Sequence, residues 1–248
     1  MSNIIRQSAL DLIRSSIEKC GHHIYLVSSE GPLPRFAYTI GISEKVGPEL
    51  VFAGAIFYSA EEVACIINTI ASSLDKRASW ENERILIGSL GYFSLRQVDS
   101  SWVNALMLGA IDYYGNRYIS ALQIVPDDDH WTIDIPNMAQ PQNSIAEPVW
   151  QWLQEPWSFS IPSGAVATTN LSALRGEPIT EAARWESDQW ELFAGAGPDV
   201  SPVDIRVTPI GTLLAVDQSL GMVVSLQIGQ ACWRESPDLE WHPWVRSD

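Results

Sequence analysis

Apolar residues recur at helical spacing from the start of the chain. Ile5, Ala9, Leu12, Ile13 and Ile17 fall at i, i+3, i+4 intervals and Gly21 supplies a stop, which predicts a first helix. The pattern then shortens to that of strands over 23–28, 36–42 and 49–53, separated by a turn at 30–34 and a Gly47-Pro48 connection. Helical spacing returns at Val63, Ile66, Ile67 and Ile70, opened by Ser59 and Glu62 in capping-box arrangement and running to about Leu74. A strand over 92–98, one helix over about 101–114, and strands over 119–125 and 131–135 complete this part.

After Asp134 the texture changes. Pro136, Pro141, Pro148, Pro156 and Pro162, with Asn and Gln between them, predict an inter-domain connector over 139–163, with one helical candidate at 145–154 around Trp150 and Trp152. Residues 165–169 read as the opening strand of a second domain. Residues 190–193 alternate so that Trp190 and Leu192 share one strand face. The predicted class is α+β: two small mixed sheet-plus-helix domains, 1–138 and 164–248, joined by the proline-rich connector.

With 46% hydrophobic and 18% charged residues in 248, the chain is globular and too apolar for disorder. No apolar run reaches the roughly 18 residues of a membrane span, and Arg6, Asp11 and Arg14 break any signal-peptide pattern. Three widely spaced cysteines, Cys20, Cys65 and Cys232, read as buried free thiols of a reducing compartment, so a cytoplasmic location is expected. The net charge of −15 is unevenly spread. Residues 1–140 carry 16 acids and 10 bases; residues 141–248 carry 14 acids, 5 arginines and no lysine. Such a surface disfavours nucleic acid and anionic lipid and speeds encounter with cationic partners.

Catalytic signals are sparse. His22 and His23 are adjacent and point to opposite faces of a strand, and with His130 they lack the spacing of a zinc site. Asp127, Asp128 and Asp129 form an acidic run without the glycine and distal Glu of a calcium loop, and read as a turn or a partner contact. There is no Gly-x-Ser-x-Gly and no phosphate-cradling Gly-Lys-Ser/Thr. No catalyst, metal or cofactor is therefore expected. Eight of the eleven tryptophans lie in 141–248, and Trp185 and Trp190 are flanked by Asp188 and Glu191. Aromatic anchors beside carboxylates suit a partner with a basic cleft. The set expected to bind it is Trp185, Asp188, Trp190, Glu191, Asp199 and Asp204, with Asp127, Asp128 and Asp129 as the next choice. Packing in the core competes for Trp190.

The string Trp185-Glu-Ser-Asp-Gln-Trp-Glu-Leu-Phe-Ala-Gly, with Pro209-Ile-Gly-Thr-Leu-Leu-Ala-Val-Asp-Gln-Ser-Leu220 and Leu226-Gln-Ile-Gly-Gln-Ala-Cys-Trp-Arg234, resembles the immunity protein thirty-three family over about 165–235. It departs from that pattern at 176–186, and its acidic loop keeps only Asp199 and Asp204. The resemblance implies a cytoplasmic immunity protein that neutralises a cognate toxin by binding it. Gly21-His-His-Ile-Tyr, Phe36-Ala-Tyr-Thr-Ile-Gly-Ile, Pro48-Glu-Leu-Val, Tyr113-Tyr-Gly and Ala121-Leu-Gln-Ile-Val-Pro-Asp are similar, over about 15–135, to the domain-of-unknown-function forty-two sixty-two family. That likeness implies no activity. The alternative is an enzyme or small-ligand sensor with a pocket lined by Phe36, Tyr38 and Tyr113, and His23 or Arg35 as its polar group.

Overall fold

The computed structural model of the chain describes residues 3–29, 31–44, 47–74, 83–115 and 117–244. The predicted first helix is α1 (Asn3–Cys20). Strands β1 (His23–Val27), β2 (Phe36–Ile40), β3 (Glu49–Ala53), β4 (Ile85–Leu86), β5 (Tyr92–Gln97) and β6 (Ala121–Pro126) form one sheet in the order β1-β2-β3-β6-β5-β4. Only β3 and β6 run parallel within it, with Glu49 opposite Ala121. Every position of β2, β3 and β6 is buried because both faces are covered. Helices α1, α3 (Ser100–Leu106) and α4 (Leu108–Tyr114) pack on Phe36, Tyr38, Ile40 and Val51. Helix α2 (Ala60–Leu74) packs on Leu50, Phe52 and Ile124 from the other side.

The helix expected over 101–114 is two helices, because Met107 leaves helical geometry at φ −95° and ψ 43°. The Tyr38 hydroxyl then accepts the N–H of Gly109 at 3.0 Å, satisfying one of the free donors of the first turn of α4. Glu49 is fully buried at the start of β3. Its carboxylate accepts the N–H groups of Gly41 and Ser43, each at 3.0 Å, and the hydroxyls of Thr39 and Tyr114. A carboxylate withdrawn from water is tolerated only when its lone pairs are occupied in this way.

Residues 131–135, expected as a strand, form a turn. Asp134 is buried there, accepting the Ile56 N–H at 3.1 Å and the Thr132 hydroxyl at 2.6 Å. Local backbone hydrogen bonding to a side chain has replaced a ladder. The following residues are not a free connector either. Gln123 of β6 donates to the Pro136 carbonyl at 2.6 Å and accepts the Met138 N–H at 3.2 Å. The Trp102 indole donates to the Gln140 carbonyl and the Trp150 indole to that of Asp134. Trp150 is 1% exposed between Phe36 and Trp102, and the helix around it is a short 3-10 helix, Pro148–Leu153. Residues 134–153 thus complete the first core.

The second sheet contains β7 (Val166–Asn170), β8 (Glu181–Arg184), β9 (Gln189–Phe193), β10 (Ile205–Pro209), β11 (Ala231–Trp233) and β12 (His242–Pro243), in the order β10-β7-β9-β8-β11-β12. Helices α5 (Leu171–Leu174) and α6 (Ile210–Val216) and the 3-10 helix Gln218–Ser225 cover one face, over Ala167, Ala182, Trp190, Leu192 and Cys232. The two sheets are clamped together. Arg206 donates to the carbonyls of Ile56 and Phe57, Arg175 donates to that of Asp129, and the Ile133 N–H to that of Leu174.

Trp150 is the keystone of the docked segment, so Trp150→Ala is expected to destabilise the chain by about 3–5 kcal/mol. Limited proteolysis followed by mass spectrometry should show residues 139–153 resistant in the native protein and cut first in the variant. Rapid cleavage of the native chain there would contradict the docking.

Candidate functional site

The two faces of the second sheet differ. Register places Thr168 beside Glu191, Glu191 beside Ala183, Phe193 beside Glu181, and Ala183 beside Ala231. These side chains share the face opposite Trp190 and Leu192, away from the packing of α5 and α6. With Ile205 of β10 and Pro243 of β12 they floor a groove of about 920 Å³ that touches all six strands. Its walls include Trp185, Trp241, Trp244, Met222 and Leu226.

Arg184, on the opposite face with Trp190, holds the turn behind one rim. Its guanidinium lies 4.5 Å from the Trp190 ring centroid and donates to the carbonyls of Glu186, Ser187 and Leu226. That fixes the β8–β9 turn, leaving Trp185 47% exposed at the groove edge. At the far end the Glu181 carboxylate accepts the Gly197 N–H at 2.7 Å. A Cβ on Gly197 would sit 3.0 Å from the Phe193 ring and 3.2 Å from Glu181, so glycine allows this close approach. Glu191 is half-buried in the floor and has no hydrogen bond or ion pair to its side chain among the described residues. The Trp241 indole nitrogen in the wall is a buried donor with no acceptor.

The described arginines of the domain form no ion pair with the groove acids. Arg175, Arg184 and Arg206 are bound to backbone carbonyls, and Arg184 and Arg206 also to aromatic rings. Arg234, 2% exposed, donates to the Ile179 carbonyl and to Asp217 at 3.0 Å, with its guanidinium 4.4 Å from the Trp241 ring. Asp217 is the one carboxylate of residues 141–248 with an ion pair among the described residues. The remaining described acids there have no ion pair, and a cluster of like charges draws cations toward this side of the domain.

The expected partner-binding residues separate into groups. Trp185 and Glu191 line the groove. Asp188 is exposed in the turn beside Trp185; Asp199 is exposed two residues beyond Gly197; Asp204 is half-buried just before Ile205. Trp190 must be removed from the set, because at 1% exposure it belongs to the core, where its alternation with Leu192 places it. Asp127, Asp128 and Asp129 lie on the first domain, away from the groove residues. Asp127 accepts the Tyr92 N–H at 2.8 Å and pairs with His130, so it holds a turn. Glu181, Phe193 and Trp244 line the groove and were not singled out. The sequence around Glu181 has few apolar residues, and only the β8–β9 register reveals its face.

The alternative pocket in the first domain does not form around the residues expected for it. Phe36 and Tyr38 lie in the core, and burial pushes the Tyr38 hydroxyl up to about 12. Arg35 is bound to the Ala55 and Tyr58 carbonyls, and Tyr113 stands beside Glu44 at 3.4 Å. His23 lies on the edge strand β1, its pKa lowered mainly by burial. Among the described residues no group of three or more His, Cys, Asp or Glu side chains is placed to hold a metal ion. No helix among them is long and apolar enough to cross a membrane.

Residues 16–131 match the family model described as a domain of unknown function (DUF4262), a range that ends before the second sheet begins. No curated protein and no solved structure matches the chain. The likeness of residues 165–235 to an immunity family rests on the sequence string alone.

The cysteines differ from the expectation that all three are buried. Cys20 and Cys65 are exposed, and Cys232 alone is buried. Cys65 lies outside the buried stripe of α2, which is Val63, Ile66, Ile67, Ile70 and Leu74. Burial pushes the Cys232 thiol up to about 11, so it is protonated at neutral pH and carries almost none of the reactive thiolate. Titration of the native protein with an aromatic disulfide reagent at neutral pH should consume Cys20 and Cys65 promptly and Cys232 only after unfolding. Prompt reaction of all three would contradict the packing beneath the groove.

Proposed function

We propose that the chain is a binding protein that grips a cationic protein partner on the uncovered face of its second sheet, and that it acts as an immunity protein neutralising a cognate toxin. The observation that carries this reading is the asymmetry of charge in the second domain. Its described arginines are engaged by carbonyls, rings and Asp217, whereas Glu191 and Asp188 have no ion pair beside an apolar, tryptophan-edged groove. A groove of that composition combines a desolvated anchor region with an electrostatic rim, the division found in protein interfaces. The immunity role comes from the resemblance of residues 165–235 and from the absence of catalytic motifs in the sequence. A toxin that grips a phosphate-bearing substrate would present the basic cleft that this face complements. Binding would occlude the cleft, and no chemistry on the immunity side is required.

Rim acids act chiefly on the association rate, and a desolvated acid facing a basic side chain acts on dissociation. Asp188→Lys combined with Glu191→Lys is therefore expected to weaken binding to the cognate toxin by about 2–5 kcal/mol and to flatten its salt dependence. The melting temperature should change little, since Asp188 is exposed and Glu191 has no internal partner. Surface plasmon resonance across a salt series, with cell survival on toxin induction, reads both effects. Unchanged affinity and unchanged protection would place the interface elsewhere.

A further inference from the structure

Taking that face as the partner surface, we infer that its groove is a receptor for arginine side chains carried on a peptide segment of the partner. The groove is a cavity with aromatic walls and two carboxylates in its floor. Register makes Glu181 and Glu191 diagonal neighbours on adjacent strands, a separation of roughly 7–8 Å between backbone positions. Two basic residues on one side of an extended segment, with two rises of roughly 3.3 Å between them, match that spacing.

The choice of arginine follows from what surrounds the carboxylates. Trp185 and Trp244 stand at the rim, 47% and 54% exposed, with ring surface free to be covered. A guanidinium is planar, stacks on such rings and binds a carboxylate through two parallel N–H donors. An ammonium is a strongly hydrated point charge that gains less from both contacts. Glu191 has both oxygens open, and Glu181 keeps one, the other holding the Gly197 N–H. Ala183 and Ala231 in the floor leave depth for a long side chain. The occupant is a peptide rather than a free guanidinium compound because one free cation can serve only one of the two carboxylates at a time. The two carboxylates, on diagonal positions of adjacent strands, call for two cations held at a fixed spacing, which an extended segment lying along the groove supplies.

The test is calorimetric titration of the full chain with three short blocked peptides, identical except at two alternate positions that carry arginine, lysine or citrulline. Citrulline keeps the shape of arginine without its charge. The arginine peptide is expected to bind at a single site about tenfold more tightly than the lysine peptide, the gain expected from stacking and two-pronged pairing, with no binding of the citrulline peptide. Glu191→Gln should lower arginine-peptide affinity by about tenfold or more. Trp185→Ala, at an exposed position where the fold is not at risk, should remove most of the arginine-over-lysine preference while leaving charge attraction. Equal affinity for arginine and lysine, both lost in Glu191→Gln, would overturn the arginine receptor and leave the cation-binding face standing. No peptide binding by a chain that still captures its protein partner would likewise overturn the receptor alone. Binding of free guanidinium compounds as tightly as the peptide would overturn the peptide requirement.

Discussion

A β-sheet has two apolar-capable faces, and each must be covered by another layer or meet solvent. In this chain the first sheet is covered on both sides, by α1, α3 and α4 on one and α2 on the other, whereas the second is covered by helices on one side only. The short helices α5 and α6 and the 3-10 helix Gln218–Ser225 suffice for the face that carries Trp190 and Leu192. The face that carries Glu191 and Phe193 is covered only in part, by the Gly197 turn over Phe193 and by Met222, Leu226 and Trp241 at the groove walls, and Glu191 stays half-buried. That inequality is why the proposed partner surface is placed on the second sheet. The groove is what remains when a sheet has been given half of its layers.

The clamp between the sheets keeps the open face in a fixed setting. Arg206 sits on β10, at the edge of the second sheet, yet its guanidinium serves the carbonyls of Ile56 and Phe57 in the first. It also donates to the carbonyls of Val203 and Ile205, engaging acceptors along a strand edge that would otherwise be free to pair with another chain. The same economy of arginines explains the electrostatics. Each described arginine of this half is engaged by carbonyls and rings, so the domain's positive charge is held inside or at the inter-sheet contact. Among the described residues, its carboxylates other than Asp217 have no ion pair.

The first sheet was largely legible in the sequence because β2, β3 and β6 are apolar runs bounded by glycine and proline, and α2 announces itself through Ser59, Glu62 and the spacing of Val63, Ile66 and Ile70. The connector was not. Proline reads as a linker locally, but the burial of residues 134–153 depends on Gln123, Trp102 and Phe36, all distant in sequence. In the second sheet, alternation correctly put Trp190 and Leu192 together, yet Trp190 was still expected at the interface, and only its burial at 1% exposure removes it. Alternation also pointed to Glu191 on the other side. Glu181 and Ala183 went unnoticed because Glu-Ala-Ala-Arg is too short and too weakly apolar to declare a strand, and only pairing with β9 gives it a face. The exposed Cys65 shows the converse: its apolar neighbours suggested burial, while the helical stripe placed it outside.

The central claim is that the uncovered face of the second sheet receives the protein partner. Hydroxyl-radical footprinting of the free chain and of its purified complex, read by mass spectrometry, tests this most directly. The account predicts slower oxidation of Trp185, Met222 and Trp244 in the complex, with Tyr118 and Trp131, exposed on the first domain, unchanged. Protection of Tyr118 and Trp131 with the three groove residues unaffected would contradict it.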